Sequence, residues 1–161
     1  MLFVSHNPIE KQSDRSFMLD CSYHLKAPGE LKEDLKGDFN FEKAIKVADG
    51  HVFSTLTLKL ENEALHHSVE FIISKKDLES ESLVGTYEVS EKIGGFLNPF
   101  DGVFGYADIN DLGELPFFAD SGRIRIREIS EGTLSGTMSV TLKNAKGNSI
   151  VLEGAFASEE H

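Results

Sequence analysis

The chain has 161 residues, 40% hydrophobic and 27% charged, which is the make-up of one ordinary globular domain that needs no metal or disulfide staple. Its formal net charge of −11 argues against nucleic acid and anionic membrane surfaces as partners, because both reward Lys and Arg. The single cysteine, Cys21, excludes an internal disulfide, and no apolar run approaches the ~20 residues of a membrane helix, so no membrane insertion is expected.

Residues 1–16 are polar apart from Leu2, Phe3, Val4 and Ile9 and read as an N-terminal arm or a short edge strand. MLFV is too short for the apolar core of a signal peptide, which leaves the compartment open: cytoplasmic, or cell envelope if a signal segment was removed. Phe17, Leu19, Cys21, Tyr23 and Leu25 then alternate with Ser16, Asp20, Ser22, His24 and Lys26. Period-two alternation is the pattern of a strand with one wet face, since successive side chains point to opposite sides. Cys21 falls on the apolar side of that strand and reads as a buried, inert thiol.

After an Ala-Pro-Gly turn at 27–29, ELKEDLK (30–36) spaces Leu31 and Leu35 four apart, which predicts one or two helical turns closed by Gly37. A patchy strand follows with Phe39, Phe41, Ile45 and Val47. Asp49-Gly50 is a hairpin signal. The return strand places Val52, Leu56, Leu58 and Leu60 inward. Asn62-Glu63 is turn-like, and Val69, Phe71 and Ile73 mark the next strand. KKDLESES reads as a loop or a single helical turn anchored by Leu78, and VGTYEV as a strand with Tyr87 and Val89 inward.

The chain from Gly122 to Ala157 is the clearest part. Ile124 and Ile126, then Leu134, Met138, Val140 and Leu142, then Ile150, Leu152 and Phe156 form three alternating runs joined by glycine-containing turns at 130–132 and 144–148. With eight or nine strands and connections too short for crossovers, the sheet must be antiparallel. The expected fold is a single all-β domain over residues 1–161, a sandwich by preference, with a closed or nearly closed calycin-like barrel as the alternative.

One segment breaks the alternation. Residues 93–120 hold five glycines and the rings of Phe96, Phe100, Phe104, Tyr106, Phe117 and Phe118. Backbone freedom combined with apolar anchors suits a loop that caps a barrel mouth or grips a partner. The competing reading makes VFGYADI another strand and the remaining rings a plug of the core. DINDLGE has Asp108 and Asn110 where a calcium loop places oxygen ligands, but Leu112 and Ala119 stand where two more belong, so turn-forming carboxylates are the better reading. His51, His66 and His67 read as solvated turn histidines, and adjacent strand residues cannot both face one metal. No nucleophile elbow or phosphate loop is present, and no catalytic residue, metal site or cofactor is assigned.

LSGTMSVTL, the N-x-x-G-N turn and the closing EGAF form a pattern of their own, with GTYEV upstream. Gly136–Val140 stands where a Gly-Thr-Phe-Ser-Phe-like strand is usual, and Gly154 and Phe156 supply a Gly-x-Phe ending. In these motifs the C-terminal half resembles small β-rich domains of unknown function in cell-envelope lipoproteins of Bacteroidetes-type bacteria. The resemblance implies a β fold and carries over no catalytic residue.

The functional expectation is a non-enzymatic binding or interaction module that contacts an unidentified protein or small apolar ligand through Phe96, Phe100, Phe104, Tyr106, Phe117 and Phe118. One alternative is a barrel that carries a small apolar ligand with those rings at its mouth. The other is an enzyme that uses His51, His66 or His67 with a carboxylate. Oligomeric state is left open.

Overall fold

A computed structural model describes residues 19–77, 82–89, 101–130 and 132–160. The alternating pattern becomes nine strands: β1 (Leu19–Lys26), β2 (Leu35–Ala48), β3 (His51–Asn62), β4 (His67–Lys76), β5 (Gly85–Glu88), β6 (Gly102–Ile109), β7 (Phe117–Ser130), β8 (Thr133–Lys143) and β9 (Ser149–Glu160). A single 3-10 turn, Asn110–Leu112, is the one helical element among the described residues. Of the two all-β arrangements, the chain adopts the closed barrel rather than the sandwich. Eight antiparallel strands run in the order β7-β6-β4-β3-β2-β1-β9-β8, and β8 returns to β7. β5 is the extra strand. It pairs with β7 from Gly85↔Ile126 to Glu88↔Arg123, along the edge that β6 occupies only at Phe117 and Phe118.

Closure follows from the lengths of the C-terminal strands. β7, β8 and β9 form a meander, with β7 paired to β8 from Phe118 to Ser130 and β8 to β9 from Ser135 to Lys143. β9 then finds β1 over eight residue pairs, Leu19↔Glu160 to Lys26↔Glu153, which closes the ring of strands. The inward set is the alternating set. Leu25, Leu56, Leu58, Val69, Phe71, Ile73, Ile124, Leu134, Val140, Leu142 and Leu152 have essentially no exposed surface. Each such side chain contributes roughly 1.5–3 kcal/mol when taken out of water.

Three cross-strand pairs fill the bore in the same way. Tyr23 lies opposite Gly37, Phe71 opposite Gly105, and Phe156 opposite Gly136. A Cβ built on Gly105 would lie 2.5 Å from Phe71 Cε1, one on Gly136 2.7 Å from Phe156 Cζ, and one on Gly37 3.1 Å from the Tyr23 hydroxyl. The Phe71 and Phe156 rings thus occupy the space of the missing side chains of Gly105 and Gly136, and the Tyr23 hydroxyl lies close to that of Gly37. The Phe156 ring also meets Phe39 edge-on at 5.9 Å.

Several local expectations change. ELKEDLK forms no helix: Glu30 and Leu31 N–H donate to the Ala27 carbonyl at 3.0 and 3.2 Å, and by Leu35 the chain is already in β2. Leu35 is buried against the core, and the i,i+4 leucine spacing was a turn followed by a strand. Val52 is exposed rather than inward, and Cys21 is half-buried rather than buried. The Asp49-Gly50 hairpin is as expected, with both residues at positive φ (51° and 78°), as a two-residue primed turn requires. The segment 93–120 is not one long loop, because VFGYADI lies within β6 and Phe117 opens β7. The arm at 1–16 and the loop anchor Leu78 lie outside the described residues. Among the described residues no helix is long and apolar enough to cross a membrane.

Candidate functional site

Of the six aromatic residues expected to form one surface, the four among the described residues are divided by the barrel wall. Phe117 points inward and is core. Phe104, Tyr106 and Phe118 have the opposite strand parity and face outward on β6 and β7. Tyr106 pairs with Phe118, and the Phe104 and Phe118 rings are 6.4 Å apart. Phe118 remains 48% exposed, while Phe104 and Tyr106 are half-buried. Phe96 and Phe100 lie outside the described residues.

A different set of residues converges at the end of the barrel where β3 passes into β4 and β6 into β7. Asn62, the last residue of β3, holds the frame there: its Nδ2 donates to the Lys36 carbonyl at 2.7 Å, and its Oδ1 accepts from Leu65 N–H at 3.1 Å. His66 takes a left-handed backbone, φ 55°, with its N–H on the Glu63 carbonyl at 3.2 Å. Its own carbonyl accepts from Asn110 N–H at 3.1 Å and ties this turn to the one after β6. The left-handed residue reverses the chain so that the next side chain, His67, enters the bore while His66 stays in solvent.

His67 is 5% exposed. Its Nε2 is 2.5 Å from the hydroxyl of Tyr23, which reaches across the bore from β1 over Gly37, and the two rings meet edge-on, with centroids 5.9 Å apart. Burial lowers the His67 pKa, so the imidazole is neutral at pH 7. Burial, reinforced by the charges of Asp38 and Glu61, pushes the Tyr23 phenol well above its ordinary value. One proton is thus shared between two neutral groups. His67 Nδ1 is buried and has no hydrogen-bond partner. An unmade hydrogen bond of this kind costs about 1–3 kcal/mol, so the position calls for a ligand atom or an ordered water.

His67 lines an open depression of about 410 Å³. Glu61 and Glu63 approach it from the end of β3, Asp108 and Asn110 from the end of β6, and Ser68 from β4. Three carboxylates face it and neither Lys nor Arg does. The region of the sequence that resembled a calcium loop therefore contributes to this rim, but through the single carboxylate of Asp108. Among the described residues no three His, Cys, Asp or Glu side chains are grouped as a metal ion requires.

The other histidines are elsewhere. His51 is at the hairpin end of β3, opposite the depression, with Nδ1 2.7 Å from Asp77 Oδ2, and His24 pairs with Asp34 at 2.7 Å on the outer wall. His51 therefore shares no site with His66 or His67. Reading His67 as a solvated turn residue missed its role. The available signal was parity: His67 is in phase with Val69, Phe71 and Ile73, all of which face the core. Comparison with protein families, with curated proteins and with solved structures returned no match.

Proposed function

We propose that this protein is a non-enzymatic binding barrel whose ligand, a small hydroxylated amine such as an amino alcohol or amino sugar, sits in the depression over His67. The observation that carries this reading is the cluster of three carboxylates around a depression that His67 also lines, together with the buried, unpartnered Nδ1 of His67. The carboxylates favour a positive charge. Through an ordered water, which can both donate and accept, a ligand hydroxyl serves the buried Nδ1 in either tautomer. The volume of about 410 Å³ is in the range of small-molecule sites and suits a compound of one ring.

A matched set of probes tests the reading: glucosamine, cyclohexylamine, glucose and glucuronate, titrated into the protein and followed by amide and imidazole NMR shifts. Glucosamine is expected to bind best, cyclohexylamine more weakly, and glucose and glucuronate not at all. Glu61→Gln with Glu63→Gln should weaken both amines, whereas His67→Phe should remove the advantage of glucosamine over cyclohexylamine. Failure of both amines to bind at millimolar concentration, or equal binding of glucuronate, overturns the proposal.

A second reading keeps the aromatic segment as a partner contact, and the exposure of Phe118 beside Phe104 supports it. For the carrier reading, the barrel fold speaks in favour, but the rings over Gly105 and Gly136 occupy the bore where cargo would lie. The likeness of the C-terminal strands to envelope lipoprotein domains stands as a proposal of kinship that names no ligand.

A further inference from the structure

β2 is 14 residues long, yet β1 pairs with it only from Leu35 to Asp38. On its other side β3 pairs with it from Asp38 through Ala48. Along Phe39–Ala48 the β1-side edge therefore has no strand partner among the described residues, a stretch of roughly 30 Å. Near its tip Ile45 and Val47 are 72% and 74% exposed, and Val52 lies directly across from Val47. An unpaired edge bearing exposed β-branched side chains is a template for another strand.

The backbone phase of that edge is fixed. Val52 directs its backbone toward β4: Asp77 N–H donates to the Val52 carbonyl at 2.7 Å, and Val52 N–H donates to Asp77 Oδ1 at 3.1 Å. Val47, opposite Val52, therefore points its own N–H and C=O away from β3, toward the open edge. By alternation Ile45, Lys43 and Phe41 do the same, while Lys46, Ala44 and Glu42 bond to β3.

We propose that this edge pairs with the same edge of a second copy of the chain, antiparallel, about a twofold axis at Ala44. The charges select that register. An axis at Glu42, Lys43 or Lys46 sets a like charge against itself, and an axis at Ile45 pairs no opposite charges. An axis at Ala44 sets Glu42 opposite the partner's Lys46 and Lys46 opposite the partner's Glu42. Both are non-hydrogen-bonded pairs, in which side chains approach most closely. The same register lays Phe41 against the partner's Val47 and the stem of Lys43 against the partner's Ile45, which covers the exposed apolar face. The interface is self-complementary, as a twofold dimer requires. It lies at the hairpin end of β3, away from the His67 depression at the other end, so its failure leaves the ligand proposal untouched.

Sedimentation of the full chain across concentration, with Ala44→Cys in a Cys21→Ser background, tests the register. Opposed non-hydrogen-bonded residues have Cα atoms about 4.5 Å apart, within disulfide reach. Ala44→Cys is expected to form a covalent dimer under mild oxidation, and Lys46→Cys in the same background is not. Glu42→Lys should weaken the wild-type dimer by about 10-fold, and adding Lys46→Glu to it should restore dimerisation. The amides of Ile45 and Val47 should gain exchange protection as concentration rises. A monomer at several hundred micromolar, equal crosslinking at 44 and 46, or protection of Ile45 and Val47 independent of concentration overturns the proposal; the last would assign the edge to a segment of the same chain.

Discussion

At the scale of single residues, the interior depends on what is missing from three glycines as much as on the rings laid over them. A methyl group at Gly136 would meet the Arg125 carbonyl oxygen as well as the Phe156 ring, so neither a backbone nor a buried aromatic could move aside cheaply. Gly136→Ala is expected to destabilise the barrel by about 1–3 kcal/mol, read as a lower urea midpoint at unchanged m-value. His67 makes a second prediction. Its folded pKa lies below the ordinary histidine value of about 6.5, so below that pH the unfolded chain takes up a proton that the folded chain refuses. Stability should therefore fall as pH drops from 7.5 through 6.5, and the loss should level off below the folded pKa. The facing groups are Tyr23 within the bore and the carboxylates of Glu61, Glu63 and Asp108 at the rim, with His66 beside them. Urea midpoints at pH 7.5 and 5.5 should converge in His67→Gln relative to wild type. An equal pH-dependent loss in the variant would remove His67 as the cause.

At the scale of elements, the alternating runs were legible because each strand has one buried face, and a slip of one residue would expose the whole of it. Leu134, Met138, Val140 and Leu142 are all buried as their spacing demanded. ELKEDLK was misread because two leucines four apart satisfy a helix, and equally a turn residue followed by the first inward residue of a strand. The hairpin of β2 and β3 was visible in Asp49-Gly50, but its fastening was not. Asp77 Oδ1 accepts from Val52 N–H and Oδ2 pairs with His51, and these contacts hold the Asp77 carboxyl below the usual carboxylate range. Because the folded pKa is depressed, the contribution is present above the ordinary carboxylate value and is lost only as pH falls through the lower folded one. Asp77→Ala should speed amide exchange at Val52 while leaving the thermal midpoint of the barrel nearly unchanged. A large fall in that midpoint would mean the tip of the hairpin is part of the cooperative core.

For the whole molecule, closure decides what can be a site. Within the wall, strand alternation sends Phe117 into the bore and Phe118 outward, one residue apart. Closure also brings Tyr23 and His67 together across 44 residues of sequence and two intervening strands, and lines up the ends of β3, β4 and β6 as one acidic rim. The two proposals use opposite ends of the β2–β3 hairpin, so binding at one end and pairing at the other can be tested independently.

The amino-acid sequence by itself determined the all-β class, the inward and outward faces of most strands, and the position of the principal hairpin. These are local consequences of a two-residue period and of turn stereochemistry. Tertiary structure alone decided that the sheet closes, that β5 stands beside β7 outside the ring, and that His67 meets Tyr23 across the bore. Those outcomes rest on contacts between residues far apart in the chain, which no local spacing encodes.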